Sequence, residues 1–298
     1  MKQFIVKTLV YVGLLAVIFC GLCILIYAKD NAKETNLPVN AVYVWGDSQI
    51  YQGLILSDLQ QTLQKPVYSA AAHGSGVYDL LVFADKVPAG SMCIVAYSQC
   101  CLLRRKDRDG NLSSVNLFAL RECAKQHYTY SEIKEIYGKN RLQQKPIFHT
   151  EDSYLYPYNA EITFSEPLFG FEQMFAQEPS YYKDKLTLMR CALDKLNGKG
   201  CQVYIVAFPF YQLTGKLYQQ SSYREVLDED IKQLALSYSA GHIDSLYFAD
   251  GDSLCMHDLT HLNEVGAKRA TNVLKQYILD TESKKSNRFI ILNGLVCQ

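Results

Sequence analysis

The stretch Val42-Tyr43-Val44-Trp45-Gly46-Asp47-Ser48-Gln49 decides how this chain is expected to fold. Its first four residues are β-branched or aromatic, which favours a strand, and the glycine and aspartate that follow favour a turn. The stretch therefore predicts a strand that ends in a loop and exposes the hydroxyl of Ser48. Taken alone, a Gly-Asp-Ser triplet is weak support for chemistry, because turn residues of this kind end many strands.

The segments that follow alternate between strand and helix patterns. Strands are predicted at residues 41–45, 67–71, 92–97, 202–208 and about 243–246, and helices at 50–64, 78–86, 183–196 and about 223–239. A final helix should begin after Asn263 as its N-cap and bury the stripe Ala270, Val273, Leu274, Tyr277 and Ile278. Residues 289–296 form an apolar tail that looks strand-like. The alternation predicts an α/β fold, a three-layer sandwich around a central, mainly parallel sheet.

The alternation of strand and helix patterns stops between residues 104 and 196, in a stretch that is rich in tyrosine. It is too long for one crossover helix, so we interpret it as an insertion with some helices of its own. Two interpretations stay open at this stage. The insertion is either a peripheral subdomain or a segment that shapes a substrate site beside the strand ends.

The N-terminus carries an uncharged, apolar run at residues 8–28 with lysines on both sides. Such a run is long enough to cross a bilayer, so residues 1–28 are predicted to be one transmembrane anchor. The alternatives are a cleaved signal peptide and a lipoprotein signal, but no convincing cleavage site follows the run and bulky residues precede its cysteines. Residues 29–40 are then a linker, 41–281 an extracytoplasmic domain, and 282–298 a C-terminal tail.

Composition narrows the classes of partner. Thirty basic and thirty acidic residues leave no formal net charge, which argues against a nucleic acid partner and for a small or glycan-like one. The ten cysteines follow no zinc-binding spacing, and no metal or organic cofactor is implied. The 22 tyrosines suit a surface that binds sugars or peptides, although ordinary cores also contain many.

A base for Ser48 occurs near the other end of the domain, in Asp258-x-x-His261. A nucleophilic serine needs an imidazole to take its proton and a carboxylate to hold the imidazole tautomer, and one short loop can bring Asp258 onto Nδ1 of His261. His73, after the second strand, is a candidate substrate contact. The remaining histidines are interpreted as structural: His127, His149, His242 and His257.

Acyl transfer also needs hydrogen-bond donors for the developing oxyanion. The candidates are the backbone amides of Ser48 and Gly74, with a polar side chain after the third strand, where Ser98 and Gln99 stand. We assign Gln99 to the oxyanion hole and Ser98 to substrate binding. Asp47 is expected to hold the turn by side-chain hydrogen bonding.

This order of motifs resembles the SGNH (GDSL-like) hydrolase superfamily over most of residues 41–281. Gly46-Asp47-Ser48 matches its first block, Gly74 its second and Asp258-x-x-His261 its last. In that family these blocks supply the nucleophile, an oxyanion amide, and the orienting acid with the general base. The chain departs from the pattern at Gly53, one residue later than usual, at Ser69 in place of an asparagine, and at Tyr97-Ser98-Gln99 in place of Gly-x-Asn-Asp.

In its predicted anchor and its altered third block, the chain resembles those branches of the superfamily that modify envelope polymers. Examples are the membrane-anchored protein of teichoic acid D-alanylation and the alginate O-acetylation proteins. The resemblance implies an acyl-enzyme at Ser48 and transfer of the acyl group to a glycan hydroxyl or to water. It also implies an acyl donor and, in some branches, a membrane-bound acyltransferase partner. Two alternatives remain: a non-catalytic component of a polysaccharide export or modification complex, and a simple lipolytic esterase.

Overall fold

The structure is a computed structural model of the chain. It describes residues 37–98, 148–158, 180–209, 211–222, 224–238, 241–243 and 253–294, together with residues 11–15, 17, 18, 21, 102, 171, 172 and 175. Predictions about Gln99, His127, the remainder of the insertion and most of the anchor therefore concern residues outside this part of the chain.

The chain divides into two compact units, Met1–Pro38 and Val39–Gln298. In the first unit, the described residues 11–15, 17, 18 and 21 are helical. Among all the residues that the structure describes, no helix combines the length and the apolar character needed to cross a membrane.

In the second unit, the residues that the structure describes form five strands: β1 Val42–Trp45, β2 Val67–Ser69, β3 Met92–Tyr97, β4 Gln202–Ala207 and β5 Gly241–Ile243. They pair side by side in the order β2-β1-β3-β4-β5, and each neighbouring pair is parallel. The predicted parallel sheet is confirmed. The last strand begins two residues earlier than expected, and its predicted end falls outside the described residues.

Among the described residues of this unit, the helices with defined bounds are α1 Ser48–Gly53, α2 Leu56–Leu63, α3 Val77–Lys86, α4 Ser180–Gly198, α5 Gln212–Gln220, α6 Arg224–Ser237 and α7 Glu264–Gly294, with a short 3₁₀ turn at Ser253–Cys255. The prediction of one helix over 50–64 was wrong. Leu54 takes an extended conformation (φ −122°, ψ 137°) and divides the segment into α1 and α2. The sequence pattern also missed α5.

The final helix differs from its prediction in two ways. Its backbone continues to Gly294, so the stretch that looked strand-like is helical as far as that residue. Its stripe is buried at Ala270, Leu274 and Ile278, but Val273 is 41% exposed. Asn263 is confirmed as the N-cap, since its Oδ1 accepts hydrogen bonds from the amides of Val265 and Gly266, both at 3.0 Å.

Successive side chains of β1 point to opposite faces of the sheet, so β1 contributes to the core on both faces. Val42 and Val44 belong to a cluster that includes Leu59 of α2 and Leu274 of α7. Tyr43 instead packs in an aromatic group whose other members are Tyr68, Phe148 and Phe83, with Phe83 on α3. α3 in turn packs against α4. Helices thus cover both faces, which confirms the three-layer architecture.

Candidate active site

The order of the strands creates a crevice at one edge of the sheet. From β1 the chain first pairs a strand on one side, β2, and then a strand on the other, β3. In open parallel sheets this change of direction leaves a gap beyond the carboxyl ends of the strands, where ligands bind. Ser48 directly follows β1, and Ser98 directly follows β3.

The turn that carries Ser48 is held by Asp47, the N-cap of α1. Its Oδ1 accepts a hydrogen bond from the amide of Gln49 at 3.0 Å, and its Oδ2 accepts one from the hydroxyl of Ser98 at 2.5 Å. The predicted turn-holding role of Asp47 is therefore confirmed. Ser98 is fully buried and its hydroxyl donates to Asp47, so it supports the turn, and its assignment to substrate binding stays a prediction.

Ser48, His261 and Asp258 come together although 210 residues of chain separate the first from the third. Nε2 of His261 lies 3.0 Å from Oγ of Ser48. Nδ1 of the same ring lies 2.8 Å from Oδ2 of Asp258. The three side chains therefore form a continuous set of hydrogen bonds in the order serine, histidine, aspartate.

The loop around Asp258 favours its charged form. The amides of Thr260 and His261 donate to its Oδ1 at 2.8 and 2.7 Å. Burial acts to raise the pKa of Asp258, but the hydrogen bond and charge of His261 and these two amides outweigh burial and lower the pKa to about 2. Asp258 is thus a carboxylate at neutral pH, and its Oδ2 can accept a hydrogen bond from Nδ1 of His261.

Gln49 is a residue of this site that sequence reasoning missed. Its buried side chain donates from Nε2 to the carbonyl of Thr260 at 2.6 Å. The contact ties the helix that begins with the nucleophile to the loop that carries the base. Its position directly after Ser48 was the only signal in the sequence, and a glutamine there has no distinctive pattern.

The structure locates two of the three candidate oxyanion donors. The amide of Ser48 is the first of α1, where helical amides have no acceptor within their own helix. Gly74 lies exposed in the loop after β2 with φ of +73°, a conformation that favours glycine. Gln99 lies outside the described residues, so its assignment to the oxyanion hole stays a prediction.

His73 lies beside this site, in the loop where it was expected. Its ring is 5.0 Å from that of Tyr51, three residues after the nucleophile. Burial, and next the charge of His261, lower the pKa of His73, while Asp47 acts in the opposite direction. His73 is therefore within electrostatic range of both His261 and Asp47.

Part of the insertion also reaches the site. Residues 148–158, which we call the strap, pair with the sheet at one end, where His149 bridges Ser69, and meet α7 at the other, where Tyr156 bridges Asn263. The ring of Tyr156 stacks on His257 at 3.8 Å and meets His261 edge-on at 5.9 Å. Of the two interpretations left open for the insertion, the strap favours the one in which it shapes the site.

No group of histidine, cysteine or acidic residues suited to a metal ion occurs in the part of the chain that the structure describes. The fold and the site together define an α/β protein in which a serine, a histidine and an aspartate are joined by hydrogen bonds at the carboxyl edge of a parallel sheet.

No family model matches the chain, and no curated protein matches it. Solved structures resemble it at low identity. A Bacteroides fragilis protein described as an acylhydrolase is 13% identical to this chain, with a TM-score of 0.40. The match covers 86% of this chain and 95% of the length of that protein. A GDSL-like lipase from Bacteroides thetaiotaomicron is 11% identical, with a TM-score of 0.39, and the match covers 86% of this chain and 96% of the lipase. A Bacillus subtilis protein has 13% identity and a TM-score of 0.40, over 83% of this chain and 58% of its own.

Proposed function

We propose that this chain performs serine-dependent acyl transfer or ester hydrolysis. The observation that carries the proposal is the hydrogen-bonded set Ser48, His261 and Asp258, with Nε2 of His261 at 3.0 Å from the serine hydroxyl. Proton transfer between a base and a nucleophile needs this separation, and the buried carboxylate selects the imidazole tautomer that can accept the proton.

In the first half of the reaction, Oγ of Ser48 attacks the carbonyl carbon of an ester while Nε2 of His261 takes the hydroxyl proton. The carbonyl oxygen becomes an oxyanion, for which the amides of Ser48 and Gly74 and the side chain of Gln99 are our candidate donors. Collapse of this intermediate breaks the bond to the alcohol, and His261 returns the proton to the departing oxygen. An acyl group then remains on Ser48.

In the second half, a hydroxyl group attacks the acyl carbon and His261 accepts its proton. Water gives hydrolysis, and a sugar hydroxyl gives transfer. When the tetrahedral intermediate collapses, the proton passes from His261 to Oγ of Ser48, so no net proton, electron or cofactor is consumed.

We further propose that the substrate is an O-acylated cell-envelope polysaccharide and that residues 1–28 anchor the domain outside the cytoplasmic membrane. The uncharged run at residues 8–28 and the neutral net charge support this setting. The partners would then be an acyl donor, a glycan acceptor or ester, and a membrane-bound acyltransferase that supplies the acyl group.

The test of the reaction compares the whole chain with Ser48→Ala on p-nitrophenyl acetate. Loss of the nucleophile should lower kcat by at least about a thousandfold. Ser237→Ala removes an exposed hydroxyl from α6 and should keep the wild-type rate. A fluorophosphonate probe should label the wild type at Ser48, as read by peptide mass spectrometry. Equal rates for the wild type and Ser48→Ala would overturn the proposal.

A further inference from the structure

The strap presents a row of tyrosines beside the candidate nucleophile. Residues 154–158 read Tyr-Leu-Tyr-Pro-Tyr, so tyrosines alternate with other residues here, and Tyr156 forms an isolated bridge with Asn263. The rings of Tyr154 and Tyr156 contact each other edge-on, with their centroids 6.5 Å apart. We call Tyr154, Tyr156 and Tyr158 the tyrosine row.

The strap is held by contacts to the rest of the domain. The carbonyl of Tyr156 accepts from the amide of Glu264 at 2.7 Å. Nearer its start, Asp152 accepts from the amide of Ser57 at 3.0 Å. Leu155, between the first two tyrosines, lines a cavity of ≈ 590 Å³ whose other lining residues include Ile55 and Val265. The tyrosine row is thus mounted on a segment that is held before the row and at its centre.

Tyr156, the central member of the row, lies next to His261, with the two ring centroids 5.9 Å apart. The ring of Tyr154 lies 6.5 Å from that of Tyr156. Tyr154 is 73% exposed and Tyr158 is 45% exposed, which is unusual for side chains of this size. Exposed aromatic side chains next to a reactive site contribute contact area with little loss of conformational entropy.

We propose that the tyrosine row binds successive sugar rings of a glycan whose acyl ester, or acceptor hydroxyl, lies at Ser48. This inference rests on the proposed function and extends it to the shape of the substrate. A sugar ring has an apolar C–H face that packs on an aromatic ring and hydroxyl edges that bond to a phenol, so tyrosine suits both parts of it. An alkyl chain would favour a continuous aliphatic lining, whereas the row exposes the phenols of Tyr154 and Tyr158 to water.

The test uses O-acetylated cello-oligosaccharides of increasing length as a neutral pyranose series, with p-nitrophenyl acetate as a substrate too short to reach the row. In the wild type, kcat/KM for the sugars should rise with the number of rings. Tyr154→Ala should abolish most of this rise, by about tenfold on the longest member, through KM. Tyr154→Phe should keep most of it, because the ring face remains.

Tyr156 is left unchanged because it packs on His257 and His261. An unchanged rate of Tyr154→Ala on p-nitrophenyl acetate shows that the variant is folded. A flat dependence on chain length in the wild type, or an equal rise in Tyr154→Ala, would overturn the inference while leaving the reaction intact. Failure of the reaction itself would show separately, as a p-nitrophenyl acetate rate that does not depend on Ser48.

Discussion

At the residue scale, the low pKa of Asp258 links the candidate site to stability in acid. The pKa is about 2 in the folded chain against an ordinary value of 3.8. A depressed carboxyl pKa stabilises the folded state above the unfolded value, and this contribution disappears as the pH falls through the folded value. Between about pH 4 and pH 2 the native state should therefore lose on the order of 2 kcal/mol from this group.

Asp258→Asn removes that titration. The difference in free energy of unfolding between the wild type and the variant should shrink as the pH falls from about 4 to about 2, measured by urea denaturation at each pH. At neutral pH, the variant should also lose about 10³- to 10⁴-fold in kcat, because the asparagine stabilises the wrong imidazole tautomer. A constant difference across the acid range would contradict the assignment of the low pKa to Asp258.

Gln49 gives a second prediction at this scale. Gln49→Ala removes the bond from its Nε2 to the carbonyl of Thr260 and loosens the loop of His261 against Ser48. We expect kcat to fall about tenfold to a hundredfold while KM changes little, because the reacting groups lose alignment. Gln61→Ala, at an exposed position on α2, is the control and should leave both constants unchanged.

At the element scale, α7 positions the loop that carries Asp258 and His261. Asn263 caps the helix and also donates from Nδ2 to the carbonyls of Leu254 and Met256, at 2.8 and 3.2 Å. The loop closes on itself where the amide of His257 donates to the carbonyl of His261 at 2.8 Å. The base is thus held by a closed loop that is attached to the first turn of a long helix.

Gly266 shows how tightly this turn packs. A Cβ at this position would lie 2.1 Å from the carbonyl oxygen of Cys255, a backbone atom that has no rotamer to change. Gly266→Ala should therefore destabilise the fold by about 2–4 kcal/mol and lower the melting temperature measured by circular dichroism.

Gly198→Ala is the matched control. Gly198 lies at the end of α4, where a Cβ would meet nothing within 4 Å, so the stability should stay within about 1 kcal/mol of the wild type. Equal melting temperatures for the two variants would contradict the packing at Gly266.

At the scale of the whole molecule, the untested prediction is the N-terminal anchor. If residues 8–28 span a bilayer, the whole chain should sediment with membranes and resist extraction by alkaline carbonate. Replacing Leu14 and Leu15 by lysine places two charges in the apolar run and should release the chain. Recovery of the unaltered chain in the soluble fraction would contradict the anchor.

The strands and the pairing of Ser48 with Asp258-x-x-His261 were predictable because each depends on a local or ordered signal. Buried parallel strands give continuous apolar runs such as 92–97, and Asp258-x-x-His261 lies in one short loop. The break at Leu54 and the helical course of residues 289–294 were missed because periodicity alone does not separate one helix from two, or a short apolar helix from a strand. The exposure of Val273 depends on which elements cover α7, and no local pattern encodes that.

The sequence by itself determined the class of fold and named Ser48, Asp258 and His261 as candidate site residues, because strand periodicity and the functional groups that a nucleophile needs can both be recognised from residue types and their order. Only the tertiary structure decided the position of the strap beside His261, the bond from Gln49 to the base loop, and the burial of Ser98 against Asp47. These are contacts between residues far apart in the chain. Their existence depends on the strand order and on the path of the insertion, and neither is encoded within any one segment.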